Sequence, residues 1–267
     1  MQELHSLEVA LADIQQRITT AARSAKRVST ALAVAQKAAT HGDLPGLRRA
    51  LKDATDALRV AQLDSNTMSS AWSLDEETEQ DYFRSGGFIA ELKKEAEAAH
   101  LNLQEDEGQL MCYPSILKID AVRRVALIDR KPYKFLRPSV LVAHLRDVQK
   151  RPPRFRAPAF IESLYTAWDY ARHFKSGSHE LSLGVGVDKI YSVLTISPGS
   201  NKEYTRQEFG RDLYLLEASD VRITRKGARI SFSRATGTKA ASGVISVVGE
   251  DDRKVIYSSI TFSDVAG

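Results

Sequence analysis

From Leu7 onward, small and apolar residues recur every seven positions, at Leu7, Ile14, Ala21, Val28 and Ala35, with a second register at Leu11, Ile18, Ala25, Leu32 and Ala39. Such a run over about five repeats commits a segment to a long amphipathic helix with a coiled-coil-like seam. After the turn His41-Gly42, Asp43 supplies an N-cap and Pro45 fits the first turn of a second helix. There Leu47, Leu51, Ala54, Leu58 and Ala61 continue the pattern. Residues 1–64 are therefore expected to form an antiparallel helical hairpin. Its seam is rich in alanine, which permits close approach but buries little area, so at ~25 cal/mol per Å² the arm is weak by itself. It needs a further surface, either the rest of the chain or a partner engaging residues 5–63: a larger protein subunit or a second copy.

Charge divides the middle of the chain. The net charge of +4 hides an acidic block at residues 65–110, with 3 basic and 11 acidic side chains, and a basic one at 111–156, with 12 and 3. Such blocks are either mutually attracting solvated faces or, for the basic one, a surface for a polyanion. Residues 64–72 (DSNTMSSAW) have a linker's composition, Ser73 to Glu76 has capping-box spacing, and Ser85-Gly86-Gly87 interrupts the acidic helices, the next running from Phe88 to about His100. In the basic block, 115–119 (SILKI) and 122–128 (VRRVALI) predict a β-hairpin, placing Arg123, Arg124, Arg130 and Lys131 around it. A helix starts at Arg137-Pro138-Ser139. Lys150 to Arg156 (KRPPRFR) ends it as an extended connector, because two prolines cannot continue a helix.

Residues 157–267 carry three helical patterns, Ala159–Phe174, Gly186–Thr195 and Lys202–Ala218, with a short strand at Glu180–Leu183 between the first two. Val221–Thr224 and Ala228–Ser233 around Arg225-Lys226-Gly227 predict a β-hairpin, and Val244–Val248 with Lys254–Phe262 a second, terminal one around Gly249 to Asp252. The order helix, strand, helix, turn, helix, hairpin over residues 157–234 resembles a winged helix-turn-helix domain. The resemblance implies a third helix in the major groove of duplex DNA, presenting Lys202, Arg206, Gln207 and Arg211, and a wing whose Arg222, Arg225, Lys226 and Arg229 neutralise phosphates. Glu203, Glu208 and Asp212 make that helix nearly neutral, a departure from a basic recognition helix.

The expected fold class is α+β, mainly helical: a helical hairpin (1–64), an acidic linker with helices (65–110), a basic β-hairpin plus helix (111–156), and a winged-helix-like unit with a terminal β-hairpin (157–267). The single Cys112 excludes a disulfide framework and a cysteine-based zinc site. No phosphate-binding loop, zinc-protease or nucleophile-elbow motif occurs, and no metal or cofactor site is expected. The N-terminus carries acids where a signal peptide needs basic residues, and no apolar run reaches the ~18 residues of a membrane span, so a cytoplasmic protein without a membrane partner is expected. The leading functional expectation is a non-enzymatic DNA-binding accessory protein. The alternatives are a protein–protein adaptor of a larger DNA-handling ATPase complex, and a Mg²⁺-dependent nuclease of the PD-(D/E)xK type built on Asp120, Asp129 and Lys131 with Glu95 or Glu97.

Overall fold

The computed structural model describes residues 6–72, 74–106, 108–173, 184–235, 243–250 and 253–264. The chain is α+β, with a long N-terminal helical hairpin and two antiparallel sheets. It divides into two units: Met1–Glu95 with Ala121–Arg124 and Phe135–Val142, and Ala96–Asp120 with Val125–Lys134 and Ala143–Gly267. Among the described residues, no helix is long and apolar enough to cross a membrane.

In the first unit, α1 (Leu7–His41) ends at Gly42, whose φ of 71° closes the helix, and Asp43 caps α2 (Leu44–Ala71) by accepting from the Gly46 N–H. The two pack as the expected antiparallel pair. The phase of the seam differs from the expected one. Beside the Leu7–Ala35 register, the shielded residues are Ala10, Arg17, Ser24, Ala31 and Ala38, three positions on rather than four. On α2 they are Leu47, Ala50, Ala54, Ala57, Ala61, Asp64 and Met68. Small residues take the line of closest approach, and the Ser24 hydroxyl donates to Asp64 across it. Ile18, Leu32, Leu51 and Leu58, expected inside, are exposed on the flank.

The arm's N-terminal end is held by charge. The carboxylate of Glu91, on α4 (Gly87–Ala98), accepts from the Ser6 hydroxyl at 2.6 Å, from the Leu7 and Glu8 N–H groups at 2.8 and 2.9 Å, and from the Tyr82 hydroxyl. It satisfies N–H groups that the first turn of α1 cannot pair internally and places a negative charge at the positive end of the helix dipole. Glu8 repeats the device on α5 (Pro138–Gln149), accepting from the Ser139 N–H and hydroxyl at 3.0 Å and from Arg137 at 2.6 Å. Burial pushes both carboxyls up, but these hydrogen bonds together hold each below its usual range. Tyr82 belongs to α3 (Glu76–Arg84), and its ring meets Phe83 and Phe88 edge to face. The N-cap of α3 is Asp75, bonded to the Thr78 N–H; Ser73, the expected cap, lies outside the described residues. Arg124 pairs with Glu79, on acidic α3.

The second unit begins with a meander in strand order: β1 (Gln104–Asp106), β2 (Gln109–Cys112), β3 (Ser115–Asp120), β4 (Val125–Ile128) and β5 (Lys131–Tyr133). The sequence pattern anticipates only β3 and β4. The sequences of β1 (QED) and β5 (KPY) carry no apolar alternation, and the proline of β5 is tolerated because that strand is an edge.

Next come α6 (Ala157–His173), β6 (Val185–Gly186), α7 (Val187–Leu194), α8 (Ser200–Glu203), α9 (Arg206–Ala218), β7 (Ala228–Arg234), β8 (Ile245–Val248) and β9 (Lys254–Asp264). Phe174 and the strand expected at Glu180–Leu183 lie outside the described residues, as do residues 236–242, 251 and 252 of the expected link and turn. The expected third helix is two helices. Thr205 stops α8 from continuing because it N-caps α9 in a capping box with Glu208, which leaves Lys202 on α8. Val221–Thr224 forms no strand beyond one bridge, Ile223 to Arg229; the long partner of β7 is β9. The terminal hairpin β8–β9 does form, and β9 pairs with β6, β7 and β8. Trp168 of α6, fully buried, donates its Nε1 hydrogen to the Ile260 carbonyl of β9 at 3.0 Å.

Glu91→Ala is expected to lower the unfolding free energy by ~2–3 kcal/mol in urea titrations near pH 7, the sum of a lost cap and a lost buried hydrogen bond. Because the folded pKa lies below the unfolded one, this contribution is complete above about pH 5 and is lost as pH falls through the folded value, so wild type and variant converge in acid.

Candidate nucleic-acid interface

The β4–β5 connection is a two-residue loop, Asp129-Arg130, since Ile128 pairs with Lys131. Both residues have positive φ, 45° and 68°, the type I′ hairpin geometry that glycine or asparagine adopts more readily. Holding Arg130 there costs ~1 kcal/mol or more. What offsets it is a clamp on α9. The Arg130 guanidinium meets the Glu208 carboxylate through two bonds of 2.7 and 2.5 Å, while Asp129 accepts from Arg211 at 3.0 Å, from the Ser115 hydroxyl at 2.8 Å and from the Ile116 N–H at 3.1 Å. Burial pushes the Glu208 carboxyl up, but Arg130 and the Thr205 N–H outweigh it and hold the pKa below the usual range.

The opposite side of α9 is covered by its own chain. At Gly210 an added Cβ would lie 2.9 Å from the Ser246 carbonyl of β8. Arg206 donates to the Val244 carbonyl at 2.9 Å and lies over the Tyr191 ring, and Gln207 is 4% exposed. Of the four residues expected to face a DNA groove, Arg206, Gln207 and Arg211 are thus engaged or buried within the protein, and Lys202 is exposed on a different helix. The neutral composition of this helix is that of an internal element.

The expected wing residues also separate. Arg222 turns back and donates to the carbonyls of Leu216 and Ser219 at 2.8 and 2.6 Å, closing the C-terminus of α9. Arg225 and Lys226 remain exposed on the Thr224–Ala228 turn and Arg229 on β7, and the turn is tied to α6 where the Arg225 N–H meets Glu162 at 2.7 Å. In the 121–124 turn, Arg123 is exposed and Arg124 is taken by α3. The nuclease constellation is not assembled. Asp120 pairs with Val125, whereas Asp129 binds the Ile116 N–H, four residues or ~13 Å back along β3. Among the described residues, no three His, Cys, Asp or Glu side chains are grouped as metal ligands would be.

What the basic block does build is a cleft of about 430 Å³. Lys131 and Tyr133 of β5, His144 of α5, and Arg151 and Arg154 of the connector line it, with Asp129, Arg211 and Asp212 at its base. The connector is held by one residue: Phe155 turns inward onto Phe160 at 5.4 Å, which leaves Arg151, Arg154 and Arg156 outside. Tyr133 and His144 stack at 4.2 Å with 12° between their planes. The two acids at the base are matched by Arg211, which bonds Asp129 at 3.0 Å and Asp212 at 3.2 Å; burial raises the Asp212 carboxyl further. Lys131, Arg151 and Arg154 are exposed, and Arg151 also lies within the electrostatic reach of Asp147. The connector is recognisable in the sequence as a basic segment, but its role as one wall of a cleft is not. The single aromatic residue among the arginines is the signal for that anchor.

No protein-family model matches this chain, and neither a curated protein nor a solved structure shows significant similarity to it.

Arg130→Met is expected to cost ~1–2 kcal/mol of stability, a modest figure because the arginine side chain is 55% exposed while that of Glu208 is 11% exposed. The cost is complete above the ordinary glutamate pKa of about 4.3 and vanishes as pH falls through the depressed folded value, which thermal melts at pH 7 and pH 3 would distinguish.

Proposed function

We propose that this protein is a non-enzymatic nucleic-acid-binding accessory protein that grips duplex phosphates through the cleft of Lys131, Arg151 and Arg154, while its α1–α2 arm serves assembly. The observation that carries the reading is the set of three exposed cations around one cleft, held by an anchored connector beside the half-buried Tyr133–His144 ring stack. Arg225, Lys226 and Arg229 extend the phosphate contact, and both groups are borne by the N-terminal half of α6, one through Phe155–Phe160 and the other through Glu162. The strand order β6-β9-β7 together with α6, α7 and α9 supports the winged-helix reading of this unit. The helix that would read bases is enclosed, so binding is electrostatic and indifferent to sequence. A helix covered by its own chain also favours the second reading, an adaptor within a larger DNA-handling ATPase complex, which the isolated protein's affinity for DNA distinguishes.

Fluorescence anisotropy with two unrelated duplexes should give similar affinities that fall steeply with salt. Arg151→Glu/Arg154→Glu should weaken binding at least tenfold and lower the slope of log K against log salt by about 2, since each phosphate contact contributes ~0.9. No binding at low salt, or an unchanged slope in the double variant, would overturn the cleft assignment; the former outcome favours the adaptor.

A further inference from the structure

The cleft of the second unit has more enclosed space and more apolar wall than a grip on duplex phosphates requires. A phosphate on the outside of a duplex needs exposed cations and no cavity, and the bases of an intact duplex stay stacked inside it. Here about 430 Å³ of space stands among the cations, within the size range of pockets that enclose a small ligand.

The walls of that space are flat and rigid. Tyr133 and His144 bring a stacked ring pair to it, the connector adds Pro152, Pro153 and Phe155, and Val148 lines it from α5. Proline rings lose almost no conformational freedom on being covered. A planar heterocycle suits such walls, because every nucleobase has a π-face to lay against an aromatic ring.

Charge fixes which way round an occupant sits. Lys131, Arg151 and Arg154 are exposed and form the rim, and the nearby Asp147 is itself paired with Lys150 at 2.9 Å. The side chains of Arg211 and Asp212 are only 20% and 15% exposed and form the floor, where Asp129 joins them through its 3.0 Å bond to Arg211. Two carboxylates beside one guanidinium disfavour a phosphate at the floor. The same carboxylate oxygens accept readily from the N–H groups of a base edge. The cleft therefore fits an occupant with a planar, neutral, hydrogen-bonding part for the interior and phosphates for the rim.

We propose that the cleft takes one unpaired nucleotide of a DNA strand, its base against the Tyr133–His144 pair and its flanking phosphates on Lys131, Arg151 and Arg154. The inference rests on the reading of this cleft as a phosphate grip and names the DNA it favours, a duplex with an unpaired end. Stacking is tolerant of base identity, so the preference is for a DNA structure rather than a sequence.

Fluorescence anisotropy of the full chain at one salt concentration compares a blunt duplex, the same duplex with a short 5′ or 3′ overhang, and that overhang built from abasic residues, which keep the phosphates and lack the bases. An overhang of at least one polarity should bind about tenfold tighter than the blunt duplex, and its abasic form should return to the blunt value. Tyr133→Ala should remove most of this preference, read as the ratio of the two dissociation constants in one preparation so that any loss of folded protein cancels. Equal affinity for blunt and overhanging duplexes, an abasic overhang bound as tightly as one with bases, or a preference retained in Tyr133→Ala would each overturn the proposal and leave the phosphate grip standing. Absence of binding to every form would overturn both.

Discussion

The two-residue turn at Asp129-Arg130 is the constraint around which the second unit is arranged. It places an acid and a base side by side in a backbone conformation that neither favours, and both side chains grip α9: Arg130 takes Glu208 and Asp129 takes Arg211. A helix held by ion pairs on one side and by a strand at Gly210 on the other has no free face left for a groove. The same clamp uses Arg211 to balance Asp129 and Asp212, so the cations of β5 and the connector set the sign of the cleft. The location of the turn strain and the location of the basic site are thus linked through one arginine.

In the first unit, order comes from helix ends more than from buried area. Glu91 serves the start of α1, and Glu8, in that same first turn, serves the start of α5. Each carboxylate meets N–H groups that would otherwise be unpaired, which suits an arm whose seam of alanines buries little. The acidic segment finds part of its opposite charge at Arg124, whose partner Glu79 lies on α3.

The elements with strong periodicity were legible in the sequence, and those resting on tertiary pairing were not. The hairpin followed from its heptads as far as residue 64. Residues 64–71, whose small polar composition reads as a linker, continue α2, because serine and threonine are tolerated on an exposed helix face. Choosing between residues three and four positions on needed the volume argument that puts Ala31 inside and Leu32 outside. The terminal hairpin and the three larger helices of the second unit followed from apolar spacing. The strands β1 and β5 did not, because three charged or proline-bearing residues carry no alternation of their own. The site was half legible. The basic block was visible as charge, whereas which basic residues are engaged (Arg124 and Arg130 in the block, Arg211 and Arg222 beyond it) and which stay exposed around the cleft (Lys131, Arg151, Arg154) depends on what the fold brings near. A composition cannot state that.

The strand β9 is the last of its sheet to be synthesised, yet it is the one to which β6, β7 and β8 all pair. Val185 waits for Ile260, some 75 residues further along, and Trp168 bonds the carbonyl of that same residue. On a ribosome adding ~5–20 residues per second, the helices of this unit spend seconds with their apolar faces uncovered before the strand that closes them arrives. The arm faces no such delay, since both its helices and their turn lie within one continuous stretch and meet through local contacts. Vectorial synthesis therefore delivers an assembled hairpin before the second unit has a core.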